Sequence, residues 1–263
     1  MIRLGFLVIF IVLNSFTYAQ ITLNRENLAE VCNCDIKSAS LNLVNKKIAS
    51  INSNTFKGLN NLQEILLNSN QLTSIDQNVF QGLVNLKNLE LFSNQITEID
   101  QYAFSGLSNL QNLSLAYNQI TLIEDLHFQG LSSLKSLELD YNKISIIDSN
   151  SFKGLSNLVK LDLSFNKLVS IDNVLFQGLS KLQELYMDYN QISVVDSVLF
   201  KGLVMLRVIY LRSNNINNIN VNALVGLINL EGVYLRNNPI VVYFPNLLDG
   251  LCGVNPKCKV YIK

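Results

Sequence analysis

Apolar residues fall at Leu62, Ile65, Leu67, Leu72, Ile75, Phe80 and Leu83, and the same spacing returns twenty-four residues on, at Leu86, Leu89, Leu91, Ile96, Ile99, Phe104 and Leu107. Within each copy, Ile65, Leu66 and Leu67 predict a short strand whose first and third residues point inward and whose middle residue points out. The inward sites stay apolar along the chain, from Leu89 and Leu91 through Leu137 and Leu139 to Val233 and Leu235. A fixed period of twenty to fifty residues predicts a solenoid in which each unit contacts only its neighbours. Each unit therefore adds one strand to a continuous parallel sheet.

Three further positions keep the period. Asparagine recurs at Asn70, Asn94, Asn118, Asn142, Asn166, Asn190, Asn214 and Asn238. There the chain turns inward after the strand, and an amide with both donors and acceptors can satisfy backbone groups of adjacent turns. Lys46 stands at the equivalent place in the first turn. Phenylalanine recurs from Phe56 to Phe200 and predicts a stacked spine, with Leu224 in the eighth place. Asp76, Asp100, Asp148, Asp172 and Asp196 precede their phenylalanines by four residues, placed to cap a short helical turn on the outer side. The Gly-Leu pairs from Gly58-Leu59 to Gly250-Leu251 take nine of the twelve glycines, at a point where the backbone is expected to oppose a β-carbon.

The pattern L-x-x-L-x-L-x-x-N-x-L/I-x-x-I-x-x-x-x-F-x-G-L resembles the extracellular leucine-rich repeat family over about residues 40–251. That family includes toll-like receptor ectodomains, Slit-type domains and variable lymphocyte receptors. The resemblance implies an α/β solenoid: a horseshoe with a parallel concave β-sheet and short helical or irregular convex segments. It also implies extracellular recognition, with immunity or cell signalling as the usual settings. Many members close their N-terminus with four cysteines, whereas this chain has Cys32 and Cys34. Its C-terminal segment opens with Asn238-Pro239 and carries two more, Cys252 and Cys258.

The chain divides accordingly into a signal peptide (1–19), an N-terminal cap (20–39), repeats (40–237) and a C-terminal cap (238–263). Arg3, the apolar run Leu4 to Leu13 and the small residue Ala19 before Gln20 read as a cleaved secretory leader. The run is much shorter than the roughly 20 apolar residues a membrane span requires. The expected product is secreted, extracellular and not inserted in a membrane. Without the leader, nineteen basic residues stand against twenty acidic ones, which gives no footprint for nucleic acid.

Cysteines in a secreted chain suggest disulfides. About nine strands at roughly 4.8 Å separate the chain's ends by some 40 Å. That excludes crosslinks between the ends and a four-cysteine zinc site, since bridged α-carbons lie within about 7 Å. Cys252 and Cys258 can close a small loop. One intervening residue disfavours a Cys32–Cys34 bridge and leaves a free or intermolecular thiol open there.

Function then lies on the outward columns of the sheet. The middle column reads Leu66, Glu90, Ser114, Glu138, Asp162, Tyr186, Tyr210, Tyr234, and the next Asn68, Phe92, Ala116, Asp140, Ser164, Asp188, Arg212, Arg236. A third, just before the asparagines, reads Ser69, Ser93, Tyr117, Tyr141, Phe165, Tyr189, Ser213, Asn237. Tyrosine and arginine give large contact area with polar tips. Tyr186, Tyr189, Tyr210, Tyr234, Arg212 and Arg236, with the acidic patch Glu138, Asp140, Asp162 and Asp188, are the candidate ligand-binding residues for a protein or peptide. Cross-strand packing of aromatics is the competing structural explanation. A self-associating structural component, joined through this face or an unpaired Cys32 or Cys34, is the alternative, and a glycan- or calcium-binding module the third. Asp140, Asp162 and Asp188 are the candidate calcium ligands, weighed against simple solvated acids. His127, the one histidine, reads as partly buried packing beside Phe128. No nucleophile motif or phosphate loop is present, so neither catalysis nor a cofactor is expected. Asn112-Leu113-Ser114 is a glycosylation sequon on the concave strand, whose glycan would push binding toward the C-terminal half.

Overall fold

A computed structural model describes residues 20–243, 251–253 and 255–262. The leader expected over 1–19, Gly250, and the rest of 244–250, 254 and 263 of the C-terminal cap lie outside the described residues. Ten strands form one parallel sheet in chain order: Ser40–Asn42, Glu64–Leu66, Asn88–Glu90, Asn112–Ser114, Ser136–Glu138, Lys160–Asp162, Glu184–Tyr186, Val208–Tyr210, Gly232–Tyr234 and Lys259–Tyr261. Strand partners lie one period apart, so that Leu89 faces Ile65 and Leu113. The tenth strand departs from this spacing and exceeds the nine expected. It comes from the C-terminal segment and pairs Tyr261 with Tyr234.

The first nine strands bury their central residue: Leu41, Ile65, Leu89, Leu113, Leu137, Leu161, Leu185, Ile209 and Val233 are at most 1% exposed, and Val260 of the tenth is half-buried. At roughly 1.5–3 kcal/mol per buried aliphatic side chain, this repeated column contributes to the cohesion between units, as do the equally buried columns of Leu62, Leu67, Leu72 and Leu83. Behind the sheet, the phenylalanine rings stack along the spine, from Phe56–Phe80 at 6.0 Å to Phe128–Phe152 at 6.2 Å and again at Phe176–Phe200, 6.3 Å.

The asparagine ladder joins neighbouring units. Asn142 Nδ2 donates to Leu115 O (2.9 Å) and Leu139 O (3.1 Å), while its Oδ1 accepts from Ile120 N–H (3.0 Å). One amide thus satisfies the unit before it and its own. At the start of the ladder, Lys46 and Ile48 N–H both donate to Asn70 Oδ1. At its end, Asn238 Nδ2 donates to Leu211 O and Leu235 O, and its Oδ1 accepts from Ile216 N–H.

The convex segments are successive turns rather than regular helix, within the short helical or irregular form expected. Ala103, Ser105 and Leu107 N–H donate to the carbonyls of Asp100, Tyr102 and Phe104. Asp100, Asp172 and Asp196 cap these turns, each Oδ1 accepting from the N–H two residues on, as Asp172 does from Val174 at 2.9 Å. Among the described residues the α-helices are Leu28–Cys32 and Pro239–Tyr243, one at each end. Gly58 through Gly226 take φ between 77° and 91°, the left-handed region anticipated for them.

Both cysteine pairs are bonded. Cys252–Cys258 closes the expected loop. Cys32–Cys34 is also a disulfide, against the sequence expectation. The reason is local: Asn33 between them sits at φ 52°, ψ 47°, a left-handed kink that folds the chain back at the end of its helix. No cysteine is free among the described residues, which removes the thiol route to self-association.

Candidate recognition face

The outward middle column ends in a continuous aromatic stack. Ring centroids are 4.5 Å apart for Tyr186–Tyr210, 4.6 Å for Tyr210–Tyr234 and 4.4 Å for Tyr234–Tyr261. Parallel register places these side chains in file, and Gly232 lets them settle. A β-carbon there would stand 3.1 Å from ring carbons of both Tyr234 and Tyr261. The rings therefore rest over glycine backbone. Tyr186 donates its hydroxyl to Glu184 Oε2 at 3.0 Å; burial and this acceptor raise its phenol well above the usual range.

Arg212 lies over this stack, its guanidinium carbon 4.5 Å from the Tyr234 centroid and 5.1 Å from that of Tyr210. Asp188 anchors its backbone, with Oδ1 accepting from Arg212 N–H at 2.6 Å. Arg236 is exposed, two residues beyond the end of the next strand.

The acidic patch is half-buried rather than freely solvated. Burial raises the Asp140 carboxyl to about 6, and the charges of Asp162 and Glu138 add to it. Burial likewise raises Asp162 and Asp188, the latter countered by Arg212. Glu138 accepts from Lys160 Nζ at 2.7 Å. Among the described residues no three His, Cys, Asp or Glu side chains gather into a metal-holding group, so Asp140, Asp162 and Asp188 do not form a calcium donor set.

A second stack runs along the turn that follows the strands. Tyr117–Tyr141 and Tyr141–Phe165 are each 4.1 Å apart and Phe165–Tyr189 4.2 Å. These four residues hold φ between 52° and 55°. Bulky side chains rarely adopt that region, where an L-residue pays roughly 1–2 kcal/mol. Serine and asparagine occupy the same turn at Ser69, Ser93, Ser213 and Asn237. The rings line an open groove with Lys143 and Lys167.

A leucine-rich repeat model matches residues 39–96, 85–144, 134–192 and 188–240. The chain belongs to the leucine-rich repeat family. Among solved structures, this leucine-rich repeat chain is similar to TLR13 in the crystal structure of the TLR13–ssRNA13 complex: 26% identity, TM-score 0.71, over 92% of this chain and 38% of that one. It thus spans well under half of the TLR13 chain. It is also similar to human 5T4 (Wnt-activated inhibitory factor 1, trophoblast glycoprotein), with 21% identity and TM-score 0.63 over 80% of each chain. The second likeness bears on fold alone. No curated protein matches the chain significantly.

The repeat frame brings together Tyr186, Tyr210, Tyr234 and Arg212 in one contact group, with Asp188 beneath. Tyr189 stands apart from it, closing the second stack. Sequence reasoning missed Tyr261, Lys160, Glu184 and Gly232. Lys160, Glu184 and Gly232 occupy the first residue of their strands, an outward column that also holds Asn112, exposed as its sequon requires. The signal for Tyr261 was its tripeptide: Lys259-Val260-Tyr261 repeats the outward–inward–outward pattern of Gly232-Val233-Tyr234. His127 is buried (4% exposed), its Nδ1 accepting from Glu124 N–H at 3.1 Å. Its Nε2 lies 3.4 Å from Glu124 Oε2, and burial lowers its pKa against the pull of Glu124.

Proposed function

We propose that this leucine-rich repeat protein is a secreted, non-enzymatic recognition module that binds a protein or peptide through its concave face, centred on Tyr186, Tyr210, Tyr234 and Arg212. The observation that carries the reading is the ordered, half-buried aromatic stack overlaid by an arginine whose backbone N–H is taken by Asp188. Preorganised aromatic and arginine side chains lose little entropy on binding and dominate interface energetics. The second stack supports it. Four aromatics held at a costly backbone conformation, where serine serves elsewhere, favour a role for the rings beyond the turn.

In this reading residues 1–19 are a cleaved leader, and 20–39 and 238–263 cap the two ends of the repeats. The two disulfides accord with an oxidising, extracellular location. No helix of the described residues is long and apolar enough to cross a membrane.

The test is capture. Tagged residues 20–263, and the same chain with Tyr186→Ala, Tyr210→Ala and Tyr234→Ala, are exposed to native extracellular material after matching thermal melts. A partner kept by the parent and lost by the variant supports the site. Equal capture by both moves the search to the convex face or the ends.

A further inference from the structure

We infer that the partner presents an acidic peptide segment to the C-terminal half of the concave face, with carboxylates seated at Arg212 and Arg236. The inference rests on the concave-face reading and specifies the chemistry of its ligand.

Arg212 and Arg236 each lie two residues beyond paired strands and side by side: Ser213 N–H, just after Arg212, donates to Arg236 O at 2.9 Å. Like charges so placed destabilise a sheet unless an anion joins them. Asp188 offsets only part of this. It accepts from the backbone N–H of Arg212, while its Oδ2 stays 3.9 Å from Arg212 Nη1, beyond a hydrogen bond. The guanidinium donors over the tyrosine rings are thus left for a ligand. Arg236 has no acidic partner among the described residues.

The neighbouring rows add no anion of their own. Val208–Tyr210, Gly232–Tyr234 and Lys259–Tyr261 contain no carboxylate, and Lys259 contributes another cation. Glu231, just before them, is engaged by Arg207 through two hydrogen bonds of 3.0 Å. The acids of the strands and turns on this face, Glu64, Glu90, Glu138, Asp140, Asp162, Glu184 and Asp188, all lie toward the N-terminal side of Arg212. An acidic segment is therefore attracted to one half and repelled from the other, which fixes its position along the solenoid. Planar guanidinium forks favour carboxylates, and the tyrosine stack offers apolar contact to the segment's backbone and stems.

The probe is a hexaglutamate peptide titrated into residues 20–263 by calorimetry, beside a hexalysine peptide and a sulfated heparin oligosaccharide. Hexaglutamate should bind and weaken as salt rises. Arg236→Glu should reduce its affinity more than about tenfold, Arg236→Lys less, and Lys57→Glu on the opposite side should leave it unchanged. Absence of hexaglutamate binding, or equal binding to Arg236→Glu, overturns the inference. Binding of the oligosaccharide with no binding of the peptide overturns the peptide assignment in favour of a polyanionic glycan. Native-partner capture separates this from the parent reading. A partner lost by Tyr210→Ala but kept by Arg236→Glu sinks the acidic segment and spares the concave site, whereas one kept by both sinks the two together.

Discussion

The guanidinium carbon of Arg212 sits 4.5 Å from the ring centroid of Tyr234, on the adjacent strand. A carboxylate two strands from that ring, Asp188, takes the arginine's backbone N–H and so fixes the base of its side chain. Stacked tyrosines and arginine therefore form one rigid surface, and its rigidity can be probed residue by residue.

Gly232→Ala tests the seat of the stack. The added methyl would stand 3.1 Å from rings of Tyr234 and Tyr261, so those rings must shift, at a cost of roughly 1–3 kcal/mol for overpacking. The chain has no tryptophan, so near-ultraviolet circular dichroism reports chiefly on tyrosine. Its signal should change while the far-ultraviolet spectrum stays the same. An unaltered near-ultraviolet spectrum would mean that the stack does not depend on this glycine.

Asn142→Ala tests the ladder. It removes the amide serving Leu115 O, Leu139 O and Ile120 N–H and leaves buried backbone groups without partners. Urea unfolding should show a loss of about 2–4 kcal/mol, given about 1–3 kcal/mol for each buried group left unsatisfied and some relief by water. A change under about 0.5 kcal/mol, the range of ordinary surface substitutions, would contradict the role.

Two groups give opposite pH dependences. The folded Asp140 pKa, about 6, lies above the ordinary aspartate value of 3.8. Its charge therefore opposes folding above pH 6, and that penalty is relieved as pH falls toward 3.8. Asp140→Asn should raise the melting temperature at neutral pH, and the advantage should vanish in acid. A constant advantage across pH would contradict the assignment.

His127 has the reverse sign. Burial holds its pKa below the ordinary imidazole value of 6.5, so its neutral form is stable above that pH. Stability is lost as pH falls from there through the folded value. His127→Ser, matching Ser151 in the next unit, should flatten this acid-side loss in melting curves, whatever its cost at neutral pH. An unchanged slope would show that the imidazole does not titrate on unfolding.

The repeat made most of the scaffold legible. Leucine spacing located the strands, and the asparagine amides and phenylalanines announced the ladder and spine, because each position meets its own copy in the next unit. What escaped were features set by departures from the period. Tyr261 follows Tyr234 by twenty-seven residues, so no column counted at twenty-four reaches it. Lys160 and Glu184 begin strands at a position where the pattern prescribes no residue type, yet they bind Glu138 and Tyr186. The left-handed backbone under Tyr117, Tyr141, Phe165 and Tyr189 is invisible in side-chain spacing, as is the kink at Asn33 that allows Cys32 to reach Cys34. Half-burial of Asp140 and Asp162 depends on neighbouring strands rather than on local sequence.

The most direct test of the concave site is the affinity of a captured partner for Tyr210→Ala, measured by calorimetry beside Val225→Ser, an exposed residue of the turns behind the sheet. Tyr210 lies mid-stack, between Tyr186 and Tyr234. With the melting temperature matched to within a few degrees, its loss should weaken binding at least about tenfold, or about 1.4 kcal/mol, while Val225→Ser binds like the parent. Equal affinity for Tyr210→Ala, or a loss confined to Val225→Ser, would contradict recognition through the tyrosine face.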